Sequence, residues 1–439
     1  SKLLRSSWST SQVPVQMLSI FAVGGAAFAA PESTAPESAA APESAAARQG
    51  KFAPLRTLLE GWELTTEFAV SVGTSEGERF RYEGGSFTMQ TLVPTASVSK
   101  WPSAMMFAGL VADGTISTLD TRVNTILPYW TKEASDPRSA ITLRMLLTFT
   151  SGFGDGHPGL EANTRAARAW RAANPAELAR ANASRLEFQQ SAACNAVIGS
   201  NARCGKWIYE HIKLIGTPGA VYSYNSNHLQ LAAAVAVAAS GLPIHEITQK
   251  YLLRPYNMSH SYYKGNCPDF AGSLMTTGDD YGRFLHGLLT YQVLPREIIE
   301  QSELDATPFL KGENQLYGHY GFGHFLMCFD MAAGFTHACK EARSHMDPGA
   351  FGFIPIIDRK HGYYMQVAAA EIPPTGVYAL SGIPEYLAVA AKPHVEALLA
   401  GKTGPTAAAE HAHHDMLSLS VADVNYLVDC KLHPKHCAQ

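Results

Sequence analysis

The chain has 439 residues, 46% apolar and 10% aromatic, which is enough to build a sizeable core and excludes a fibrous or wholly disordered protein. Thirty-four basic against 38 acidic side chains leave a net charge of −4, and charged residues make up only 16%, below the ~25% of an average soluble domain. No basic excess points to nucleic acid.

Residues 17–30 (MLSIFAVGGAAFAA) are apolar and uncharged, follow a region holding Lys2 and Arg5, and end in the small-x-small pattern Ala27-Phe28-Ala29. Residues 1–30 therefore read as a signal peptide, with the mature chain starting near Ala30 or Pro31. The alternative is a membrane anchor, but the apolar core falls short of the ~20 residues a spanning helix needs, so no stable membrane insertion is expected. The product would be secreted, or periplasmic in a bacterium. Six of the seven cysteines fall into close pairs (Cys194 with Cys204, Cys328 with Cys339, Cys430 with Cys437), as suits a disulfide-bonded secreted chain, and Cys267 is left over. Asn182-Ala183-Ser184 and Asn257-Met258-Ser259 are glycosylation sequons that matter in a eukaryotic host.

Ala-Pro-Glu-Ser recurs at 30–33, 35–38 and 41–44, so 31–50 reads as a low-complexity linker. Leu55, Leu58, Leu59 and Trp62 then follow helical spacing, and a hairpin is expected from Phe68–Val72 and Arg79–Tyr82 around the turn residues 74–77. From Ser97 to His319 the pattern is mostly helical, with apolar stretches at Leu229–Ala239 and Tyr281–Leu289. Strands return at Tyr320–Phe329, Gly349–Ile357 and Tyr363–Ala369, and Val395–Leu399 belongs to a closing helix. The expected fold is α+β: one antiparallel sheet built from both chain ends, flanked by helices, with an inserted, mostly helical subdomain. That domain would occupy 51–400, with 401–439 a peripheral tail.

Ser97-Val98-Ser99-Lys100 places a hydroxyl and an amine at i and i+3, on one face of a helical first turn, where the amine can help remove the hydroxyl's proton. The spacing alone is common, and Ser261-Tyr262-Tyr263-Lys264 repeats it. An ordinary helix-start serine is the bland alternative. After Ser97 follow, in order, residues 105–112 as a helix, Asp113-Gly114-Thr115-Ile116-Ser117-Thr118-Leu119-Asp120, Leu127-Pro128, residues 141–152 (ITLRMLLTFTSG) and residues 218–227 (PGAVYSYNSN). With this ordered set the chain resembles the serine β-lactamase-like superfamily, on the side of class C β-lactamases, their esterase relatives and 6-aminohexanoate-dimer hydrolases.

The resemblance implies roles for particular residues. Ser97 would be the nucleophile, while Lys100 and Tyr224 would be the proton-transfer pair that activates it and protonates the leaving group. The family's Tyr-x-Asn falls on Tyr224-Asn225-Ser226, with Ser226 in place of Asn, as in the aminohexanoate hydrolases and some esterases. Ser261 is then a decoy in a loop after Pro255. The family's third motif, Lys-Thr-Gly, occurs literally at Lys402-Thr403-Gly404, but after the closing helix. The better match is Asp347-Pro348-Gly349-Ala350-Phe351-Gly352, leading into a strand. There the Ala350 N–H would join that of Ser97 in an oxyanion hole, and Asp347, Gly349 and Phe351, with Ser226, would contact substrate. An acid at 347 replaces the family's cation and weighs against a true β-lactamase or D-Ala peptidase.

His345 is a candidate to line the pocket. His411, His413, His414 and Asp415 read as a solvated tail and not a metal site, and Gly321 with Gly323 lacks the continuation a nucleotide loop needs. The sequence thus implies a secreted serine hydrolase, most simply an esterase, forming a Ser97 acyl-enzyme on a small-molecule ester or amide, with no cofactor and no metal. A β-lactamase or D-Ala peptidase, and a non-catalytic scaffold of the same fold, are the alternatives.

Overall fold

The computed structural model describes residues 50–65, 67–154, 200–310, 319–327, 337–371 and 382–404. The expected signal, linker and tail, the sequon at Asn182, the tail histidines, Cys194, Cys328, Cys430 and Cys437, and the side chain of Cys339 lie outside the described residues.

Helix α1 (Ala53–Glu60) leads to strands β1 (Phe68–Thr74) and β2 (Gly77–Glu83), then the short β3 (Val93–Pro94). A 3-10 turn, Ala96–Ser99, runs directly into α2 (Lys100–Ala112), and α3 (Leu143–Leu147), α4 (Asn201–His211) and α5 (Asn227–Ser240) follow. The chain continues through β4 (Tyr262–Tyr263), β5 (Leu274–Thr276), α6 (Gly278–Leu289), β6 (His319–Tyr320), β7 (Phe325–Met327), β8 (Ser344–Met346), β9 (Ile354–Asp358), β10 (Tyr363–Ala369) and α7 (Gly382–Leu399).

Seven strands form one antiparallel sheet in the order β2-β1-β10-β9-β8-β7-β6. Its centre joins the two ends of the chain: Phe68 pairs with Ala369 and Val72 with Met365. Period-2 alternation explains how the sheet is covered on both faces. Val70, Val72, Ile356, Met365 and Val367 point into a core with Leu55, Leu59, Leu387, Ala391 and Val395 of α1 and α7. Ala69, Ile357, Tyr364 and Ala368 point the other way, into the core around Trp101, Tyr281, Phe284 and Leu285. Each fully buried Leu, Val or Phe contributes roughly 1.5–3 kcal/mol, so this two-sided burial carries the domain.

Within the second core α2 is buried on nearly every side, from Lys100 to Leu110, which explains why its sequence shows no polar stripe. The Ala-rich α5 is likewise buried from Asn227 to Ala236. No single helix among the described residues is long and apolar enough to cross a membrane.

The fold class is as expected, but several strands differ. Tyr320–Phe329 is no continuous strand: β6 and β7 are separated by a turn in which the Gly321 N–H donates to His324 O at 2.9 Å and Gly323 has φ +68°. The expected strand from Gly349 starts only at Ile354, because Gly352 N–H bonds back to Gly349 O at 2.9 Å and closes a turn. β8, reading Ser-His-Met, has too little β-branched or aromatic character to be seen in the sequence. The middle is also less helical than its composition suggests: β3, β5 and β4 form a second, three-stranded sheet.

Candidate active site

The Ser97 turn is pinned on several sides. Thr95 Oγ1 donates to Leu274 O at 2.9 Å, Leu274 N–H donates to Ser99 Oγ at 3.0 Å, and Ser99 Oγ donates to Ala96 O at 2.6 Å. These bonds tie the turn to β5 and hold Ala96 at φ +50°, a conformation that costs a non-glycine residue of order 1 kcal/mol or more. The chain thus enters α2 sharply enough to present Ser97 beside Lys100.

Lys100 Nζ donates to Ser97 Oγ at 2.9 Å and to Ala271 O at 2.8 Å. The Tyr224 ring packs over the same amine, with Nζ 4.5 Å from its centre, and Ser97 and Lys100 both act on the phenol so as to favour its ionised form. Protein packed around the phenol pushes its pKa above the ordinary tyrosine value, while the Lys100 cation pulls the other way. Tyr224 nevertheless keeps 39% of its surface exposed, so its ring borders an open cleft. The three residues to which the resemblance gives the proton-transfer and nucleophile roles are therefore brought together.

Tyr224 is delivered by a rigid segment. His228, fully buried on the first turn of α5, stacks on Phe149 at 4.8 Å, bonds Ser151 Oγ through Nδ1 at 2.9 Å, and bonds Ser223 O through Nε2 at 2.8 Å. Asn225 Nδ2 donates to Ser223 Oγ at 2.9 Å and to Phe153 O at 3.1 Å. Both neighbours of Tyr224 are thus locked from behind. Burial drives the His228 pKa down to about 3, so the ring is a neutral strut.

The 347–352 loop closes against the nucleophile turn. A Cβ on Gly349 would overlap Thr95 O and stand 2.7 Å from Val98 Cγ2, so only glycine permits this approach. Among the described residues, the backbone N–H groups of Ser97 and Ala350 donate to no protein acceptor. Phe351 is half-buried beside them, its carbonyl taken by the Glu371 N–H at 2.8 Å.

Asp347 is placed differently from the expectation that it meets substrate. It is fully buried, and Oδ2 accepts from the Trp101 N–H at 3.0 Å, at the N-terminus of α2. Burial raises its carboxyl well above the usual range, against the pull of Lys100 and the Trp101 N–H. It caps the nucleophile's helix from below, where a substrate anion would not touch it. His345 is also buried: it sits 3.2 Å from His324 Nε2 through Nδ1, beside Glu303, behind Trp101. It does not line the cleft. Ser261 bonds Thr276 Oγ1 and Asp280 Oδ2, both at 2.6 Å, as a buried structural hydroxyl. Lys402 and Thr403 lie exposed after α7.

Three contributors escaped the sequence reading. Ala271 supplies the carbonyl that orients Lys100. Gly323 packs so closely that a Cβ would overlap Lys100 O. Asp269 lies beside Ser226, whose hydroxyl is 3.4 Å from Asp269 Oδ2. The Gly321/Gly323 pair was the only available signal: Gly323 packs against α2, while Gly321 packs against Ser302 O and the His324 ring. Asp358, His361 and Glu396 come close enough together to hold a cation, but Lys392 forms ion pairs with both carboxylates there, behind the sheet.

A sheet joining the chain ends, with a Ser-x-x-Lys turn facing a tyrosine across a cleft, defines the serine β-lactamase-like class. The chain belongs to the Beta-lactamase family, whose model matches residues 67–369. It is similar to a protein of Bacteroides dorei DSM 17855 provisionally named a beta-lactamase, at 25% identity and TM-score 0.53, over 73% of this chain and 90% of that one. It shares its fold with EstCE1, a hydrolase with promiscuous acyltransferase activity, at 12% identity and TM-score 0.56, over 76% and 97% of the two chains. A mutant of simvastatin synthase from Aspergillus terreus matches at 16% identity and TM-score 0.54, over 80% and 99%. No curated protein sequence matches the chain.

Proposed function

We propose that the protein is a secreted serine hydrolase of ester or amide bonds, most simply a carboxylesterase. The observation that carries this reading is the contact of Lys100 Nζ with Ser97 Oγ at 2.9 Å, with the Tyr224 ring packed over the same amine. Ser97 Oγ attacks the substrate carbonyl as its proton passes to the Lys100–Tyr224 pair. The carbonyl oxygen, now negative, takes hydrogen bonds from the Ser97 and Ala350 N–H groups. Collapse expels the leaving group, which is protonated from Tyr224, and leaves an acyl-Ser97 ester. Water then adds to that ester, giving up its proton to the same pair, and Ser97 regains its proton as the acid departs.

Esters are favoured over β-lactams because a β-lactam carboxylate needs a fixed cation. Among the described residues the cleft offers only Lys100, already held by Ser97 and Ala271. Secretion rests on the apolar segment 17–30, and the pairing of Cys194 with Cys204 rests on their closeness in sequence, while Cys267 stays a free, buried thiol. Comparing p-nitrophenyl butyrate with nitrocefin on one preparation tests the substrate class: the ester is expected to show the higher kcat/KM, and faster nitrocefin turnover would overturn it.

A further inference from the structure

We infer that Asp269 forms an ammonium-recognising subsite in the cleft, so that the site takes substrates bearing an amine in preference to those bearing a carboxylate. This rests on the Ser97 cleft being the active site. Asp269 belongs to the same tight turn as Ala271: the Gly272 and Ser273 N–H groups donate to Asp269 O at 3.1 and 2.8 Å, and the Ala271 N–H donates to Asp269 Oδ1 at 2.9 Å. Ala271 O in turn holds Lys100 Nζ at 2.8 Å. The carboxylate is thus fixed two residues from the carbonyl that orients the amine.

Its other oxygen is poorly served. Oδ2 has only the Ser226 hydroxyl, at the long distance of 3.4 Å, and no Lys, Arg or His forms an ion pair with Asp269 among the described residues. An ionised carboxylate offers about four acceptor positions, so one bond of ordinary length leaves most of them open. Burial disfavours the charge and raises the carboxyl's pKa, although Ala271 N–H, Lys100 and Ser226 oppose this. A partly exposed, under-compensated carboxylate is stabilised by any incoming N–H cation. Ser226 leaves no stronger donor on this oxygen, since its hydroxyl reaches the acid only at 3.4 Å. A ligand carboxylate would meet like charge there, and the Lys100 ammonium has two of its three N–H groups committed.

The test uses three probes of equal length, hexylammonium, 1-hexanol and hexanoate, as competitive inhibitors of p-nitrophenyl butyrate hydrolysis by the full chain and by Asp269→Asn. The wild type should bind hexylammonium about tenfold more tightly than hexanol, as one ion pair in a half-solvated cleft implies, and hexanoate least of all. Asp269→Asn should erase the ammonium preference. A merely structural aspartate would shift all three constants together, so an unchanged ratio in the variant, or tightest binding of hexanoate by the wild type, overturns the proposal. Should the variant fail to fold, salt decides: raising ionic strength from 0.05 to 0.5 M must weaken hexylammonium several-fold relative to hexanol in the wild type, and equal sensitivity overturns it. If no ester is turned over, the hydrolase reading fails separately, and the same three ligands titrated calorimetrically into Ser97→Ala still decide the subsite.

Discussion

Gly349→Ala is the sharpest perturbation of the proposed oxyanion geometry. The new Cβ would overlap Thr95 O, stand 2.7 Å from Val98 Cγ2 and 3.3 Å from Phe353 O, and two of these three neighbours are backbone. No rotamer change relieves a backbone clash, so the 347–352 loop must move away from the Ser97 turn by roughly 1 Å to restore an ordinary contact near 3.4 Å. Such overpacking typically costs about 1–3 kcal/mol of stability. The same shift carries the Ala350 N–H off the position a developing oxyanion would occupy, and loss of one such donor costs about 10²–10³ in kcat. Urea unfolding and kcat for p-nitrophenyl butyrate should be measured together, with Gly362→Ala as the control. Gly362 has a left-handed φ, +68°, but faces open space in the β9–β10 turn, so its substitution should lower stability and leave kcat unchanged. Wild-type kcat in Gly349→Ala, or an equal kcat loss in Gly362→Ala, would refute the reasoning.

Other outcomes follow from the same geometry. Ser97→Ala should abolish turnover by ~10⁶ in kcat, whereas Ser261→Ala, losing a buried bond to Asp280, should cost about 1–2 kcal/mol in denaturant unfolding and leave kcat within a few-fold. Lys100→Arg and Tyr224→Phe should each lower kcat by roughly 10² to 10⁴, since a guanidinium cannot give up its proton and a phenyl ring has none; retention of a tenth of the activity by either would remove that residue from proton transfer. His228 has its folded pKa, about 3, below the ordinary 6.5, so the folded chain binds fewer protons and the stability this group contributes is lost as pH falls from 6.5 towards 3. His228→Gln should accordingly flatten the slope of unfolding free energy against pH between 6 and 4 by up to ~1.4 kcal/mol per pH unit, and an unchanged slope would contradict a buried neutral ring. Asp347→Lys should unfold the α2 N-terminus and yield no β-lactam hydrolysis, because position 347 lies beneath the helix and not in the cleft.

The residues legible in the sequence are those fixed by local spacing. Ser97 and Lys100 share a helical face wherever that turn folds, and the ordered segments after them carry Tyr224 and Gly349 to the same cleft. The β-branched and aromatic runs of β1 and β10, buried on both faces, were likewise readable. The direction of a loop side chain has no period, which is why Asp347 and His345 were expected at the substrate and are found beneath the nucleophile's helix. Asp269 and Ala271 meet Lys100 only through the tertiary approach of the loop before β5 to α2. Nothing in residues 267–271 (CPDFA) encodes that approach beyond a turn preceding a strand.

The central claim is that Ser97 is a nucleophile activated by Lys100. Treatment of the full chain with a fluorophosphonate probe, followed by peptide mapping, tests it directly. The probe should be found on Ser97, with labelling lost in Lys100→Arg and retained in Ser261→Ala. A folded protein that takes up no label, or takes it on another serine, would contradict the claim.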